Sequence, residues 1–316
     1  MTDFGTTTTG QLVQKLSLCA GDLSVDLLTL GAAIYSVRLK GVPYDLTVSA
    51  PDITGFADKF CYHGTLIAPN VNRLGHARAP LGDRTLTLEA NAAGGHNLHS
   101  GSTGAHAQVW SLCDHSATHA RLSIDLPDGA GGFPGNRRLE ALFEVQAPAT
   151  LRMTVTATTD AETLINTANH SYWNLDGSAA FTGHSLRVAA DHYLPTDDTA
   201  LVTGELRATK GSAFDFLAPR PLAPQDPALD HCFCLSQTAQ PLRDVLWLRG
   251  TSGVSMTLAT TEAGVQIYDG RDAGYPALAI EAHAWPDAPN HNNFAPISLA
   301  AGETRTQITE WRFARP

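Results

Sequence analysis

The 316-residue sequence predicts an all-β fold, with a large antiparallel β-sandwich as the expected architecture. In segments along the whole chain, apolar residues occupy every second position, as they do in strands with one buried face. Clusters of turn-forming residues separate these segments, and no apolar stripe at helical spacing is longer than about three turns. Many short strands joined by frequent turns are typical of sandwiches and barrels.

Five segments show the alternation most clearly, and each predicts one strand. Their apolar residues are Leu23, Val25 and Leu27; Leu86, Leu88 and Ala90; Leu122, Ile124 and Leu126; Leu151, Met153, Val155 and Ala157; and Val254, Met256 and Leu258. Turn clusters include Pro127–Gly129, Gly131–Gly132, Pro134–Asn136, Asp176–Ser178 and Ser252–Gly253. The continuous apolar run Ala277–Ile280 predicts a buried strand. Helix is expected only in short connections.

The chain is predicted to form one domain over residues 1–316. Its residues are 43% hydrophobic and 16% charged, which is enough apolar sequence to bury a large core. No shift in composition marks a linker, and the proline- and alanine-rich stretch Ala218–Ala228 is interpreted as a surface loop. Residues 1–17, which include the run Thr6–Thr9, are expected to form a loosely ordered N-terminal segment.

Charge and cysteine content narrow the partners and the compartment. The formal net charge is −10, whereas a nucleic-acid partner calls for a basic surface, so we expect a neutral small molecule and no nucleic acid. No apolar run approaches the roughly 20 residues of a membrane span, and no secretion signal is visible. The five cysteines, an odd number, are interpreted as buried, reduced thiols. We therefore expect a cytoplasmic protein that does not bind membranes, as a monomer or homodimer.

The first polar cluster, Gly94–Gly101, places two histidines among glycines. The glycines allow the backbone at His96 and His99 to approach a ligand closely. A spacing of three residues would suit a metal-binding pair on a helix, but the glycines disfavour a helix and no nearby carboxylate completes a ligand set. A metal site is therefore the less favoured interpretation, and no cofactor is expected.

Two further clusters contain candidates for proton transfer. His170 lies in Asn169–Leu175, a run rich in hydrogen-bonding groups that a purely structural core avoids burying. From these residues alone, a packing role and a functional role are equally supported. Glu281 follows the run Ala277–Ile280, where a carboxylate is costly unless it faces a cleft or a partner. Glu281 is the best candidate for a general base, and an edge-strand carboxylate in water is the alternative.

Nine short motifs resemble those of the aldose 1-epimerase family and occur in the family's order. They are Asn72–Leu74, Leu98–Gly101, Gly132–Gly135, Asn169–Leu175, Phe214–Phe216, Leu229–His231, Val265–Tyr268, Glu281–Asn290 and Gly302–Glu303. Each motif is weak by itself, but together they extend the resemblance over nearly the whole chain, to Phe313.

The resemblance implies a galactose-mutarotase-like supersandwich with an open sugar cleft on one sheet. It implies that Glu281 is the general base and His170 the general acid of an isomerase that interconverts the α and β anomers of a free aldose. The residues it implies for binding the sugar hydroxyls are Asn72, Arg73, His99, Asp230 and Gln266. This chemistry requires no metal or redox cofactor. Trp173 and Trp285 are candidates for an apolar wall, although packing roles are favoured for both.

Three departures from the family's pattern are expected to lie near the cleft and to bear on the choice of sugar. These are Ala68–Pro69, Ala105–His106 and His283. Two other functions are alternatives. A carbohydrate-binding or sensor protein would keep the pocket without turnover, although a binder needs no acid facing a base. A glycoside hydrolase or lyase is the other alternative; a hydrolase would need two carboxylates, and Asp230 is the one obvious second carboxylate.

Overall fold

The computed structural model describes all 316 residues. The chain forms many strands connected by turns, and it contains very little helix. The first fourteen strands are β1 (Thr2–Thr6), β2 (Leu12–Ala20), β3 (Leu23–Leu28), β4 (Ala33–Leu39), β5 (Thr47–Val48), β6 (Leu66–Ile67), β7 (Arg73–Leu74), β8 (Arg78–Leu81), β9 (Arg84–Thr87), β10 (Asn97–Leu98), β11 (Ser111–His115), β12 (His119–Leu126), β13 (Arg137–Gln146) and β14 (Thr150–Thr159). The others are β15 (Thr163–Leu164), β16 (Ala168–Asn169), β17 (Tyr172–Trp173), β18 (Ser185–Val188), β19 (His192–Leu194), β20 (Arg207–Ala208), β21 (Arg220–Pro221), β22 (Asp230–Cys234), β23 (Arg243–Arg249), β24 (Ser255–Thr260), β25 (Gly264–Tyr268), β26 (Leu278–His283), β27 (Ser298–Leu299) and β28 (Thr304–Ala314).

Helix is confined to short connections, as expected. The one α-helix, α1 (Ile53–Phe56), is a single turn whose N-terminus is capped by the Asp52 side chain. Short 3-10 turns lie at Gly75–Ala77, Ala93–Gly95, Gly101–Thr103, Ala105–Ala107, Ala130–Gly132, Arg271–Ala273 and Ala288–Asn290. None of these helices is long and apolar enough to cross a membrane.

Three antiparallel sheets form the layers of the fold. The nine-stranded sheet has the order β11-β12-β13-β14-β28-β24-β23-β18-β21, the seven-stranded sheet the order β20-β19-β22-β25-β26-β17-β5, and the four-stranded sheet the order β1-β2-β3-β4. In the nine-stranded sheet, β28 pairs with β14 on one side and with β24 on the other. The strand that comes last in the chain therefore joins the two halves of this sheet.

The main hydrophobic core lies between the nine-stranded sheet and the two smaller sheets. It is one cluster of 53 buried residues whose members range from Leu16 to Phe313. Across this core, Trp173 of the seven-stranded sheet contacts Trp311 of β28, with ring centroids 6.0 Å apart. The alternating apolar residues predicted from the sequence supply both sides of this interface.

The same alternation places polar side chains on the outer face of the seven-stranded sheet. In β25, Ile267 belongs to the core, so the neighbouring Gln266 points the other way. In β26, Ile280 belongs to the core, so Glu281 also points to the outer face. Gln266 and Glu281 are direct partners in the β25–β26 ladder. Two sequence-distant polar residues thus become neighbours on one surface.

The predicted all-β sandwich is confirmed, and four of the five alternating segments coincide with strands β3, β12, β14 and β24. The fifth differs, because β9 ends at Thr87 and leaves Leu88 and Ala90 outside a strand. The apolar run Ala277–Ile280 lies largely within β26, as expected.

The structure differs from three local expectations. Residues 1–17 are not loosely ordered, because β1 pairs with β2 and Phe4 packs edge-on against Tyr35 at 5.0 Å. The stretch Ala218–Ala228 is largely exposed, as expected of a surface loop, but Arg220–Pro221 within it form β21 at an edge of the nine-stranded sheet. All five cysteines are free, but only Cys232 is buried. In each case, tertiary contacts rather than local composition decide the outcome.

Candidate active site

A cavity of about 300 Å³ opens on the outer face of the seven-stranded sheet. Six of the seven residues predicted for the site line it, namely Asn72, Arg73, His99, His170, Asp230 and Glu281. The seventh, Gln266, is not among the lining residues. Side chains separated by about two hundred positions in the sequence therefore converge on one concave surface.

Glu281 and His170 face each other in this cavity, and both are buried. His170 Nε2 lies 3.4 Å from Glu281 Oε1. The remaining polar atoms, His170 Nδ1 and Glu281 Oε2, are buried without a hydrogen-bond partner. His170 and Glu281 both line the cavity, where a ligand can supply partners for these atoms.

Burial shifts both titrations strongly. It raises the pKa of Glu281 well above its ordinary value; nearby Asp230 raises this pKa further, whereas Arg73 lowers it. Burial lowers the pKa of His170 to about 3. The proton that the two side chains can exchange is therefore favoured on Glu281, with His170 as neutral imidazole.

A side chain of the nine-stranded sheet braces the strand that carries Glu281, at the neighbouring residue Ala282. From β28, Gln307 Nε2 donates to the carbonyl of Ala282, at 2.8 Å. The Gln307 amide oxygen in turn accepts from the Thr167 hydroxyl at 2.5 Å. The nine-stranded sheet thus braces the strand that carries Glu281.

His99 and Asn72 are held together by the short β7–β10 ladder, in which Leu98 pairs with Arg73. The His99 main-chain N–H donates to the Asn72 carbonyl at 3.1 Å, and the Asn72 N–H donates back to His99 Nδ1, also at 3.1 Å. Asn72 and His99 both have positive φ, 61° and 52°, so each lies at a sharp bend of the chain. Because Nδ1 accepts a hydrogen bond, neutral His99 carries its proton on Nε2 and acts as a donor.

This tautomer bears on metal binding. His99, His170 and Glu281 each offer a potential ligand atom within 4.8 Å of the other two. A histidine ligates a metal through an unprotonated nitrogen. At His99, Nδ1 is occupied by the Asn72 N–H and Nε2 carries the proton, so only His170 and Glu281 have free lone pairs. The three residues fit a polar ligand better than a metal ion.

Asp230 and Arg73 form the second polar pair of the cavity. Gln266 Nε2 donates to Asp230 Oδ1 at 2.6 Å, and Arg73 Nη1 lies 3.6 Å from Asp230 Oδ2. Burial raises the pKa of Asp230, although Arg73 and Gln266 both act to lower it. The structure thus places Gln266 against Asp230, as a support for a lining residue rather than a part of the lining.

Four tyrosines, which the sequence analysis did not single out for the site, form much of the remaining wall: Tyr62, Tyr172, Tyr268 and Tyr275. The candidates for an apolar wall, Trp173 and Trp285, belong to the hydrophobic core instead. Strand alternation could have predicted that Tyr172, rather than Trp173, faces the cavity. The two residues are adjacent in β17 and must therefore face opposite sides of the sheet. The side chain of Tyr172 stacks near His170, with centroids 5.2 Å apart.

The three departures from the family's pattern do not line the cavity. Ala68 belongs to the main core. His106 lies behind the lining, with its ring 5.0 Å from that of Tyr62. His283 is fully buried, and its Nδ1 lies 2.6 Å from the Ala284 carbonyl oxygen. His106 and His283 thus lie near the cavity, as expected, without forming part of its wall.

His96 is separate from His99 in its contacts. Its Nδ1 accepts from the main-chain N–H of His76 at 3.0 Å, and its Nε2 lies 2.8 Å from the Thr199 hydroxyl. Both nitrogens are thus engaged within the protein, and His96 is not a lining residue of the cavity.

Comparison with known proteins identifies the family. The family model described as "Aldose 1-epimerase" matches residues 14–312. The chain belongs to the aldose 1-epimerase family. It is 30% identical to a galactose mutarotase from Mus musculus, over 96% of this chain and 95% of the relative. It is 26% identical to an aldose 1-epimerase from Escherichia coli, over 92% of this chain and 91% of the relative. As a member of this family, the protein is an isomerase that acts on carbohydrates.

Solved structures show the same fold. An aldose epimerase homologue from C. elegans superposes with a TM-score of 0.89 at 24% identity, covering 96% of this chain and 99% of its own. A galactose 1-epimerase from Lactobacillus acidophilus superposes with a TM-score of 0.86 at 23% identity, covering 99% and 97%. The aldose 1-epimerase fold thus extends over nearly the whole chain.

Proposed function

We propose that this aldose 1-epimerase interconverts the α and β anomers of a free aldose, with Glu281 as the general base and His170 as the general acid. The observation that carries the proposal is the Glu281–His170 pair, whose facing atoms lie 3.4 Å apart. Each side chain also has a buried polar atom without a partner. One anomeric carbon, with its hydroxyl and its ring oxygen, can engage both groups at this separation.

Ring opening transfers two protons. Glu281 takes the proton of the anomeric hydroxyl while His170 gives a proton to the ring oxygen, and the bond between the anomeric carbon and the ring oxygen breaks to leave an aldehyde. Rotation about C1–C2 presents the other face of the aldehyde. The reverse transfers then close the ring as the other anomer and restore both side chains.

The pair holds one proton throughout this cycle. It lies on His170 before ring opening and on Glu281 afterwards, so the net charge of the pair is constant. Burial raises the pKa of Glu281 and lowers that of His170, so the cavity favours protonated Glu281 beside neutral His170. This is the arrangement of the pair when the sugar is the open-chain aldehyde. Ring opening therefore removes a buried charge separation.

The other lining residues are assigned to binding. His99, a donor at Nε2, and Arg73 donate to sugar hydroxyls, and Asp230 accepts from them. Asn72 contributes through its position beside His99. Gln266 supports the site indirectly by orienting Asp230. The tyrosine wall offers apolar faces to the C–H groups of the sugar.

The test is anomer exchange followed by NMR, with a panel of common aldoses and the native protein compared with two variants. In Glu281→Gln the side chain keeps its shape but cannot accept the anomeric proton, so turnover is expected to fall by about 10²–10⁴-fold while sugar binding persists. Near-normal exchange in this variant would mean that another residue is the base.

Glu262→Gln is the matched control. Glu262 is 3% exposed and Glu281 2% exposed, and burial raises the pKa of both carboxyls. Glu262 lies between β24 and β25, outside the cavity, so its substitution is expected to leave exchange unchanged. No acceleration of any aldose by the native protein would favour a carbohydrate-binding protein without turnover.

We further propose that the chain acts as one domain in the cytoplasm, as a monomer or homodimer, with the sugar as its partner and no nucleic acid. One core cluster that includes residues from Leu16 to Phe313 supports a single domain. Five free cysteines suit a reducing compartment. The net charge of −10 disfavours binding to nucleic acid.

A further inference from the structure

The strand that carries Glu281 loses its regular neighbour next to His170. β17 pairs with β26, and the last main-chain hydrogen bond between these segments in the direction of Glu281 joins the Ile280 N–H to the Ser171 carbonyl, at 3.4 Å. In a continued antiparallel ladder, His170 would lie directly opposite Glu281. The chain before His170 instead forms β16, which pairs with β6. The ladder therefore ends at the pair proposed for proton transfer.

Two side-chain amides take the place of the missing ladder. Along an antiparallel strand, the main-chain groups of alternate residues face the same edge, so Ile280, Ala282 and Ala284 face one edge together. The Asn166 amide donates to the Ala284 carbonyl at 3.1 Å and accepts from the Ala284 N–H at 3.0 Å. The Gln307 amide donates to the Ala282 carbonyl at 2.8 Å. These amides supply hydrogen bonds that a neighbouring strand would otherwise supply.

The Gln307 side chain joins the two segments that carry the pair. Its amide nitrogen binds the Ala282 carbonyl, and its amide oxygen accepts from the Thr167 hydroxyl at 2.5 Å. Ala282 directly follows Glu281, and Thr167 lies three residues before His170. Thr167 and Gln307 are 5% and 4% exposed, so both hydrogen bonds are buried. We call this contact of Thr167, Gln307 and the Ala282 carbonyl the amide bridge.

We propose that Thr167 and Gln307 are positioning residues of the reaction, because the amide bridge sets the separation between His170 and Glu281. The inference rests on the proposed function. A regular ladder would hold the two main chains about 4.7–4.9 Å apart, whereas an interposed side chain holds them farther apart. Neither Thr167 nor Gln307 lines the cavity, so both act through the pair. A misplacement of about 1 Å at reacting groups can lower a rate by about 10²-fold.

The test is the kinetics of Thr167→Val, which keeps the shape of the side chain but loses the hydroxyl. The Gln307 amide oxygen then lacks its donor, so the bridge is broken. We expect kcat for anomer exchange, measured by NMR at saturating sugar, to fall by about tenfold. KM should stay within about twofold of the native value, because the groups assigned to the sugar hydroxyls lie on other segments. Thr167→Ser restores the donor and is expected to bring kcat to within about threefold of the native value.

A double variant shows whether the two side chains act as one bridge. Gln307→Met removes the amide with little change in side-chain volume, and kcat is expected to fall at least as far as in Thr167→Val. In Thr167→Val/Gln307→Met, kcat should equal that of Gln307→Met alone, because the bridge is already broken. Each rate is referred to the folded fraction of the variant. Fully additive losses would overturn the inference, since the two residues would then act separately.

Thr209→Val is the matched control. Thr209 is 1% exposed, and its hydroxyl donates to the Ala190 carbonyl at 2.9 Å, outside the cavity. Its kcat should lie within about twofold of the native value, although it also loses a buried hydrogen bond. The inference is overturned if Thr167→Val keeps the native kcat, if Thr209→Val loses as much, or if Thr167→Ser does not restore kcat. A rise in KM equal to the fall in kcat would assign Thr167 to sugar binding and also overturn it. Native exchange in Glu281→Gln would contradict the proposed function instead.

Discussion

Two buried histidines beside carboxylates, His184 and His170, have opposite hydrogen-bonding states. His184 accepts from the Leu175 main-chain N–H at 2.9 Å and donates from Nδ1 to the Phe181 carbonyl at 2.8 Å. Its neighbour Asp176 lies 3.6 Å away. At His170, Nδ1 has no partner, and Nε2 has only Glu281 at 3.4 Å.

The carboxylates differ in the same way. Asp176 accepts from the main-chain N–H groups of Thr251 and Ser252. Although burial acts to raise the pKa of Asp176, these hydrogen bonds and those of the side chains lower it to about 2. Glu281 has no such donors, and burial raises its pKa. The His184–Asp176 pair thus has its partners inside the protein, whereas the His170–Glu281 pair lines the cavity and has polar atoms that a ligand can engage.

The largest effect expected from this comparison is on turnover. His170→Asn removes the group that we propose as the acid for the ring oxygen, so the rate of anomer exchange should fall by about 10²–10⁴-fold. The equivalent substitution His184→Asn should leave the rate within about threefold under conditions where the protein is folded. Both rates are measured by NMR exchange. Equal losses in the two variants would contradict the distinction between them.

The loss of stability should be larger in His184→Asn than in His170→Asn, the reverse of the order expected for turnover. The shorter side chain in His184→Asn cannot reach both Leu175 and Phe181, and a buried polar group left without a partner costs about 1–3 kcal/mol. The free energy of unfolding should therefore fall by about this amount, as measured by denaturant titration. His170→Asn should cost less, because its Nδ1 makes no hydrogen bond that could be lost. A larger loss of stability in His170→Asn would assign a structural role to His170.

A smaller effect is expected at the Arg73–Asp230 pair. Arg73→Ala and Asp230→Asn remove groups assigned to sugar hydroxyls, so KM should rise by about tenfold in each variant, with a slower reaction as well. The control is Arg152→Ala. Arg152 lies 2.9 Å from Glu310 in a partly exposed pair of the nine-stranded sheet, far from the cavity. Its KM should equal that of the native enzyme, and unchanged KM in the Arg73 and Asp230 variants would rule out their binding roles.

The smallest effects concern pH, and the two carboxylates should act in opposite directions. The pKa of Asp176 falls from 3.8 to about 2 on folding, so its contribution to stability is present above pH 3.8 and is lost as the pH falls toward 2. The pKa of Glu281 rises above 4.5 on folding, so the native protein loses stability relative to Glu281→Gln as the pH rises above 4.5. Denaturant titrations between pH 3 and 8 measure both trends. Parallel trends in Asp176→Asn and Glu281→Gln would contradict the comparison.

The sequence predicted the sheet architecture well because alternation is local and each strand carries its own pattern. It also singled out Glu281, which lines the cavity, since a carboxylate at the end of an apolar run must meet a polar partner or a ligand. It did not predict that Gln266 supports Asp230, because a motif does not show which of two neighbouring side chains reaches the ligand. Tyr275 was missed because it lies in a loop without periodicity. The sequence also did not predict the strand at the N-terminus, because the aromatic residues that contact Phe4 are remote in sequence.

The position of β28 has a consequence for biosynthesis. This strand is translated after all the others, yet it lies at the centre of the nine-stranded sheet, between β14 and β24. Until it leaves the ribosome, both neighbouring strands present unpaired edges, which are sites of aggregation. The brace from Gln307 to the strand of Glu281 is also absent until then. A nascent chain therefore exposes those two edges until β28 is made, and the strand that carries Glu281 lacks this brace until synthesis has reached β28.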